Sequence, residues 1–236
     1  MDDGNLTKEL CPEEQDNADE QPPVLEECCA CDEANALLFF WAFVLIIIDE
    51  WLTHFSDIIG ASHAADFKMW AYDGFASEGV RSVAEHGATK KLEAELKAQS
   101  GKIRTIIKAR GLWYPNVNGK TFAVFRVDRK HHVMSALSML GPSPDWLVGV
   151  SSLELCLKNC SWLASKTINL YPWDAGTSDG LSYVVAQREA SNPQQRIHKI
   201  TSSFPADPDS PFFDPTGAPM KPVARLTITR QRLYEK

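Results

Sequence analysis

The sequence predicts a mainly β fold, an antiparallel β-sandwich with a helical insertion near residues 77–108. Three observations predict it. Several short runs alternate apolar and polar residues or are rich in β-branched and aromatic side chains. Their connections are irregular and rich in Pro, Gly, Ser and Asp. A single region carries the three-to-four spacing of a helix. Many strands with one helical interruption fit two packed sheets.

Residues 1–27 hold Pro12, Pro22 and Pro23 among many acids, and read as a disordered acidic linker ahead of a domain over 28–236. A linker at the start implies that something precedes it. Ala36 to Ile48 is an apolar run of 13 residues, short of the roughly 20 that a membrane span needs. A buried strand or a core helix fits it better. Ser77 and Glu78 open the helical region, with Val80, Val83 and Ala84 on one face and Gly87 as a stop. Thr89 precedes a second segment with Leu92 and Leu96 one turn apart. Ile103, Ile106 and Ile107 continue an apolar face, although β-branched residues also suit a strand.

From residue 121 strands take over. TFAVFRV alternates, and HHVMSALSML, DWLVGVSSLEL and KTINLYPW follow, split by GPSP and DAGTSDG. Residues 191–222 read as a long ordered loop. The closing segment alternates, with Val223, Arg225, Thr227 and Thr229 opposite Ala224, Leu226, Ile228 and Arg230.

Charge and composition exclude several classes. The net charge is -7, but residues 1–33 carry twelve acids and one base, which leaves the body at +4. That body is too weakly basic for a polybasic nucleic-acid protein. With 7 Trp and 11 Phe the chain has ample material for a core. No basic start followed by an apolar stretch marks a signal peptide.

The six cysteines are Cys11, Cys28, Cys29, Cys31, Cys156 and Cys160. Adjacent cysteines chelate zinc poorly, because structural sites place two to four residues between paired ligands. Disulfides between the two clusters are the favoured reading, and they point to an oxidising compartment. Asn5-Leu6-Thr7 and Asn159-Cys160-Ser161 fit the N-glycosylation triplet.

The stretches CCAC (28–31), IIGASH (58–63), YDGFASEGV (72–80), GPSPDWLVGVSSLELC (141–156), PWDAGTSDG (172–180) and SPFFDPTG (210–217) resemble the spondin domain, in an insect-like version. The resemblance implies a C2-like sandwich that binds calcium, with no catalytic activity. It implies a secreted glycoprotein of the extracellular matrix that acts in cell adhesion and axon guidance. The expected neighbours are a reelin-type domain and thrombospondin type 1 repeats, and the chain reads as an excised piece. The expected partners are cell-surface receptors or matrix components. The family's pairing implies Cys28–Cys156 and Cys29–Cys160, with the partners of Cys11 and Cys31 beyond this chain. The apolar segment 36–50 departs from the family, and leaves the first strand of the sandwich open.

Calcium takes six to eight hard oxygens, with carboxylates supplying most of the charge. Asp145 in the GPSPDW turn and Asp174 after KTINLYPW match the family's calcium-binding aspartates. Ser178 occupies the third ligand position, and Asp179 follows it. Asp179 is added as a third ligand by proximity, with Gly176 and Gly180 giving the loop room to turn it inward.

Other clusters read as structural. His131 and His132 are adjacent on a strand, so they point to opposite faces. Ser151 and Ser152 lack a nucleophile elbow. Asp73 and Glu78 suit a turn and a helix start. The seven tryptophans read as core. Arg225, Arg230 and Arg232 raise the prospect of a glycosaminoglycan partner. A calcium-dependent membrane-docking module of C2-like shape is the competing reading.

Overall fold

A computed structural model describes residues 34–42, 53–159, 161–183 and 189–231. The linker over 1–27 and the cysteines other than Cys156 lie outside the described residues.

The first strand of the sandwich is present, and the apolar run supplies it. Strand β1 (Ala34–Ala42) is paired on both sides, with β5 (Lys120–Val127) and with β13 (Ala224–Gln231). Strand β8 (Ser165–Leu170) completes this four-stranded antiparallel sheet in the order β5-β1-β13-β8. In β1, Ala36, Leu38 and Phe40 are buried, and Asn35, Leu37 and Phe39 are half-buried. The run therefore has an inner and an outer face although both are apolar.

The second sheet runs β12-β9-β7-β6-β3-β4, with β2 (His54–Phe55) also paired to β6. Its members are β3 (Ile58–His63), β4 (Ile103–Ala109), β6 (Val133–Gly141), β7 (Trp146–Glu154), β9 (Trp173–Asp174) and β12 (His198–Lys199). Every residue of β6 is buried, because this sheet is covered on both faces. On the face towards the first sheet, Ile58, Ile107, Met134, Ala136, Trp146 and Val148 meet Leu38, Phe40 and Leu226. On the other face Ile59, Ala61, Leu137 and Leu147 pack under the helices.

The helical insertion is shorter than its sequence suggests. Helix α1 (Glu78–His86) begins at Ser77, whose Oγ accepts from the Val80 N–H at 3.2 Å. It ends at Gly87 in the left-handed region, at φ 66°. Helix α2 (Lys90–Ala98) buries Leu92 and Leu96. The isoleucines that follow belong to β4, where their branched side chains fit the pleat. The stretch read as one loop over 191–222 contains β12. The short pair β10 (Ser178–Asp179) and β11 (Glu189–Ala190) stands apart from both sheets.

The two sheets are joined along one side. Thr105 Oγ1 accepts from the Arg126 N–H at 3.2 Å, and the Ser62 hydroxyl donates to the Arg126 carbonyl at 2.6 Å. These bonds tie β3 and β4 to β5.

Leu38→Ala should lower stability by about 2–5 kcal/mol, and Leu37→Ala by less than about 1.5 kcal/mol. Urea unfolding of both variants checks the assignment; equal losses would mean that β1 is not in this phase.

Candidate metal centre

The turn at residues 142–145 leads into β7. The Ser143 Oγ accepts from the Trp146 N–H at 3.0 Å and closes that turn. This places Asp145 at the head of the strand with no exposed surface. Its Oδ2 accepts from the Thr177 N–H at 2.7 Å, the Ser178 N–H at 3.0 Å and the Thr177 hydroxyl at 3.2 Å. Its Oδ1 is buried with no hydrogen-bond partner among the described residues.

Asp174 arrives from β9, directly opposite Trp146 on one side and His198 on the other. Its Oδ1 accepts from the Gly176 N–H at 2.7 Å, and its Oδ2 lies 3.9 Å from His198 Nε2. Gly176 has φ 69°, and a Cβ there would come within 2.5 Å of the Gln195 carbonyl oxygen. Glycine is required for the loop to fold back over Asp145.

Asp179 sits on β10 and is exposed. Its Oδ1 accepts from the Ser191 hydroxyl and from Gln195 Nε2 at 3.3 Å. Ser178 is buried beside it, with its N–H on Asp145. The expected acids therefore share one rim. Asp145 and Asp174 interact directly, while Asp179 faces Ser191 and Gln195. Among the described residues no three Asp, Glu, His or Cys side chains are gathered closely enough to hold a metal ion.

The electrostatics follow from burial. Burial pushes the Asp145 carboxyl up to about 7, and the charge of Asp174 adds to the shift. Burial likewise pushes Asp174 up to about 6; the bond from Gly176 opposes this and the Asp179 charge adds to it. A buried carboxylate oxygen with no donor and a second acid beside it leave negative charge without compensation. Buried hard oxygens of this kind are the donor chemistry a divalent cation takes, which makes Asp145 and Asp174 the candidate holders of one. His198 completes the surroundings of Asp174, and the sequence carried no signal for it beyond an isolated histidine in a loop-like stretch.

The remaining candidates separate. His131 Nδ1 lies 2.8 Å from Asp128, and His132 Nδ1 lies 2.7 Å from Glu154. Each histidine has its own carboxylate. Ser151 donates to the Trp70 carbonyl, and the Ser152 N–H donates to Ser135 Oγ at 2.8 Å. Asp73 lies 3.7 Å from Arg196, and Glu78 lies 3.8 Å from Lys91. Arg225 is on the outer face of β13, where its Nε donates to Asn169 at 3.3 Å, and Arg230 is on the opposite face. The expected cationic cluster does not converge, and Arg232 lies outside the described residues. Trp70, Trp146 and Trp162 are core residues, but Trp113 is 54% exposed. Cys156 is buried and disulfide-bonded, with its partner outside the described residues. Among the described residues no helix is long and apolar enough to cross a membrane.

The Spondin_N family model matches residues 48–222. This chain belongs to the spondin family. It is 44% identical to Spondin-1 of Gallus gallus over 242 residues, covering 98% of this chain and 29% of that protein. Identity to Spondin-1 of Homo sapiens is 43% over the same shares. Spondin-2 of Homo sapiens is 35% identical over 180 residues, or 75% of this chain and 53% of that protein. The chain thus spans under a third of the spondin-1 length, and β1 precedes the matched family region while remaining integral to the sheet.

The raised carboxyls set a pH dependence. The folded protein holds protons on Asp145 and Asp174 that the unfolded chain has already released, so stability falls as pH rises from about 4 to about 7. The slope is at most about 1.4 kcal/mol per pH unit for each group. His63, which burial pulls down, acts with the opposite sign below its ordinary value. The comparison is therefore wild type against Asp145→Asn in chelator. The variant should lose the Asp145 share of the fall and keep that of Asp174; a slope unchanged from wild type would contradict the buried-acid geometry.

Proposed function

We propose that this chain is a non-enzymatic, calcium-binding adhesion module of the extracellular matrix, part of a secreted protein. One observation carries the calcium reading: the buried Asp145 Oδ1 has no donor among the described residues while a second, half-buried acid, Asp174, stands beside it across the β7–β9 pairing. Asp145 and Asp174 would hold the ion, and Asp179, now bonded to Ser191 and Gln195, would be the third ligand. Bound calcium supplies charge neutralisation at the rim and fixes the loop 174–179 against the turn 142–145. Spondin membership supports the matrix setting, and the adhesive role, with axon guidance, is what the family resemblance implies. Cell-surface receptors or matrix components are the partners, and a reelin-type domain and thrombospondin type 1 repeats are the neighbours in the longer protein.

The disulfides belong to the same reading. Ala34 lies beside Leu155, Trp162 and Leu163, at the pole where Cys156 is bridged. Six residues of extended chain reach about 20 Å, enough to bring Cys28 to Cys156. The same reach admits Cys29 and Cys31, and we assign Cys28–Cys156 and Cys29–Cys160 because the spondin resemblance implies that pairing.

One feature favours a second reading, calcium-dependent membrane docking. Trp113 and Tyr114 are 54% and 60% exposed near the same rim. Trp113 stacks on His54 at 3.9 Å between ring centroids, and His54 packs against Gly141, where the Asp145 turn begins. Interfacial aromatics of this kind also suit a lipid surface.

Calorimetry on oxidised protein should show calcium binding that Asp174→Ala abolishes; no heat with wild type would remove the metal reading. Sedimentation with phosphatidylserine vesicles separates the two functions, since calcium-dependent pelleting would favour membrane docking. Non-reducing peptide mapping should recover Cys28–Cys156 and Cys29–Cys160, and free thiols at these positions would refute the assignment.

A further inference from the structure

The sandwich is tied along its β4–β5 side, but its other side is a groove of about 560 Å³ between β7 and β8. Strand β9 pairs with β7 at Trp146 and Leu147 alone. Among the described residues β8 pairs with β13 and with no other strand. The free edge of β8 has a definite phase. The Arg230 N–H donates to the Ala164 carbonyl at 2.9 Å, which makes Arg230 and Ala164 a hydrogen-bonded pair. Hydrogen-bonded pairs alternate along an antiparallel ladder, so Lys166, Ile168 and Leu170 turn their backbone groups to β13. Ser165, Thr167 and Asn169 turn theirs outward.

The groove opposite that edge is apolar with cationic margins. Trp173 meets Trp70 and Tyr72 at ring-centroid distances of 5.4 and 6.4 Å. Lys199 lies 4.7 Å over the Tyr171 ring, and Lys68 is exposed on the facing loop. No acid lines the groove, and Lys166 adds a third cation on β8. We propose that this groove docks an extended acidic peptide segment of a partner, which adds to β8 as a fifth strand. The outward N–H and C=O groups of Thr167 and Asn169 call for an extended backbone. The three lysines call for acidic side chains. A second copy paired through the same edges would set Lys166 near its own counterpart, which disfavours self-association. The inference is independent of the calcium site.

The probe is a seven-residue peptide of alternating glutamate and valine, added at about 1 mM to the full chain. The expected result is slowed amide exchange at Thr167 and Asn169 and a change in tryptophan fluorescence. Thr167→Pro removes an outward N–H and no backbone bond to β13, losing only the hydroxyl contact with Thr227 at 3.0 Å, so it should abolish binding with the far-UV circular dichroism unchanged. Lys68→Glu with Lys199→Glu should weaken binding by about tenfold or more, and tests the proposal even if the proline variant does not fold. Equal binding of a lysine–valine peptide would overturn the proposal. So would protection at β8 that rises with protein concentration without peptide, or a heparin oligosaccharide occupying the groove that the acidic peptide leaves empty.

Discussion

The rim of this molecule is organised by two carboxylates that water cannot fully reach. Asp145 and Asp174 are brought together by backbone pairing between β7 and β9, not by attraction, since their charges repel. The fold supplies part of the compensation. Three donors from Thr177 and Ser178 converge on one oxygen of Asp145, and the Gly176 N–H serves one oxygen of Asp174. One oxygen of Asp145 receives nothing among the described residues. An apolar replacement would remove the cost of burial, so the electrostatic cost of this rim is concentrated in these two acids.

Much of the fold was legible because burial writes itself into period. The alternation in β13 follows from one inner and one outer face, and burial matches it from Ala224 to Thr229; Val223 before the strand is buried and Arg230 at its end is exposed, because the pairing with β8 begins and ends there. β1 was harder. Its outward residues Leu37 and Phe39 are also apolar, so the period vanished and strand could not be told from helix. The segment after α2 failed for a related reason. Ile103, Ile106 and Ile107 keep helical spacing, but their branched side chains and their place beside β3 decide for a strand.

The site was half legible. Asp145 and Asp174 could be named from turn chemistry and from family likeness, and the structure brings them together. No local pattern reports that Asp179 lies on a β10–β11 pairing that carries it toward Ser191 and Gln195. His198 reaches Asp174 from a strand 24 positions further along the chain, a contact visible only once β12 is paired to β9. Long-range pairing of two-residue strands leaves too little sequence to carry a signal.

The brevity of β9 links the two surfaces of the domain. Had β9 continued along β7, it would have covered Val148 to Leu153 and closed the side of the sandwich. Trp146 faces Asp174 and Leu147 faces Trp173, so the chain that would cover Val148 to Leu153 is the one before β9, and it lies in β8, paired with β13 in the other sheet. Past Asp174, Gly176 turns the chain back over Asp145. That turn delivers the Thr177 and Ser178 donors to the acid, and the crossing from β8 to β9 at Tyr171 and Pro172 leaves the aromatic wall of Trp70, Tyr72 and Trp173 open along the remaining length of β7. The opposite side needs no such opening, and there Thr105 and Ser62 join the sheets through Arg126. An open edge is a hazard in an extracellular protein unless it is charged or occupied. Here the charge is three lysines of one sign, which repels a like copy and selects for an acidic strand.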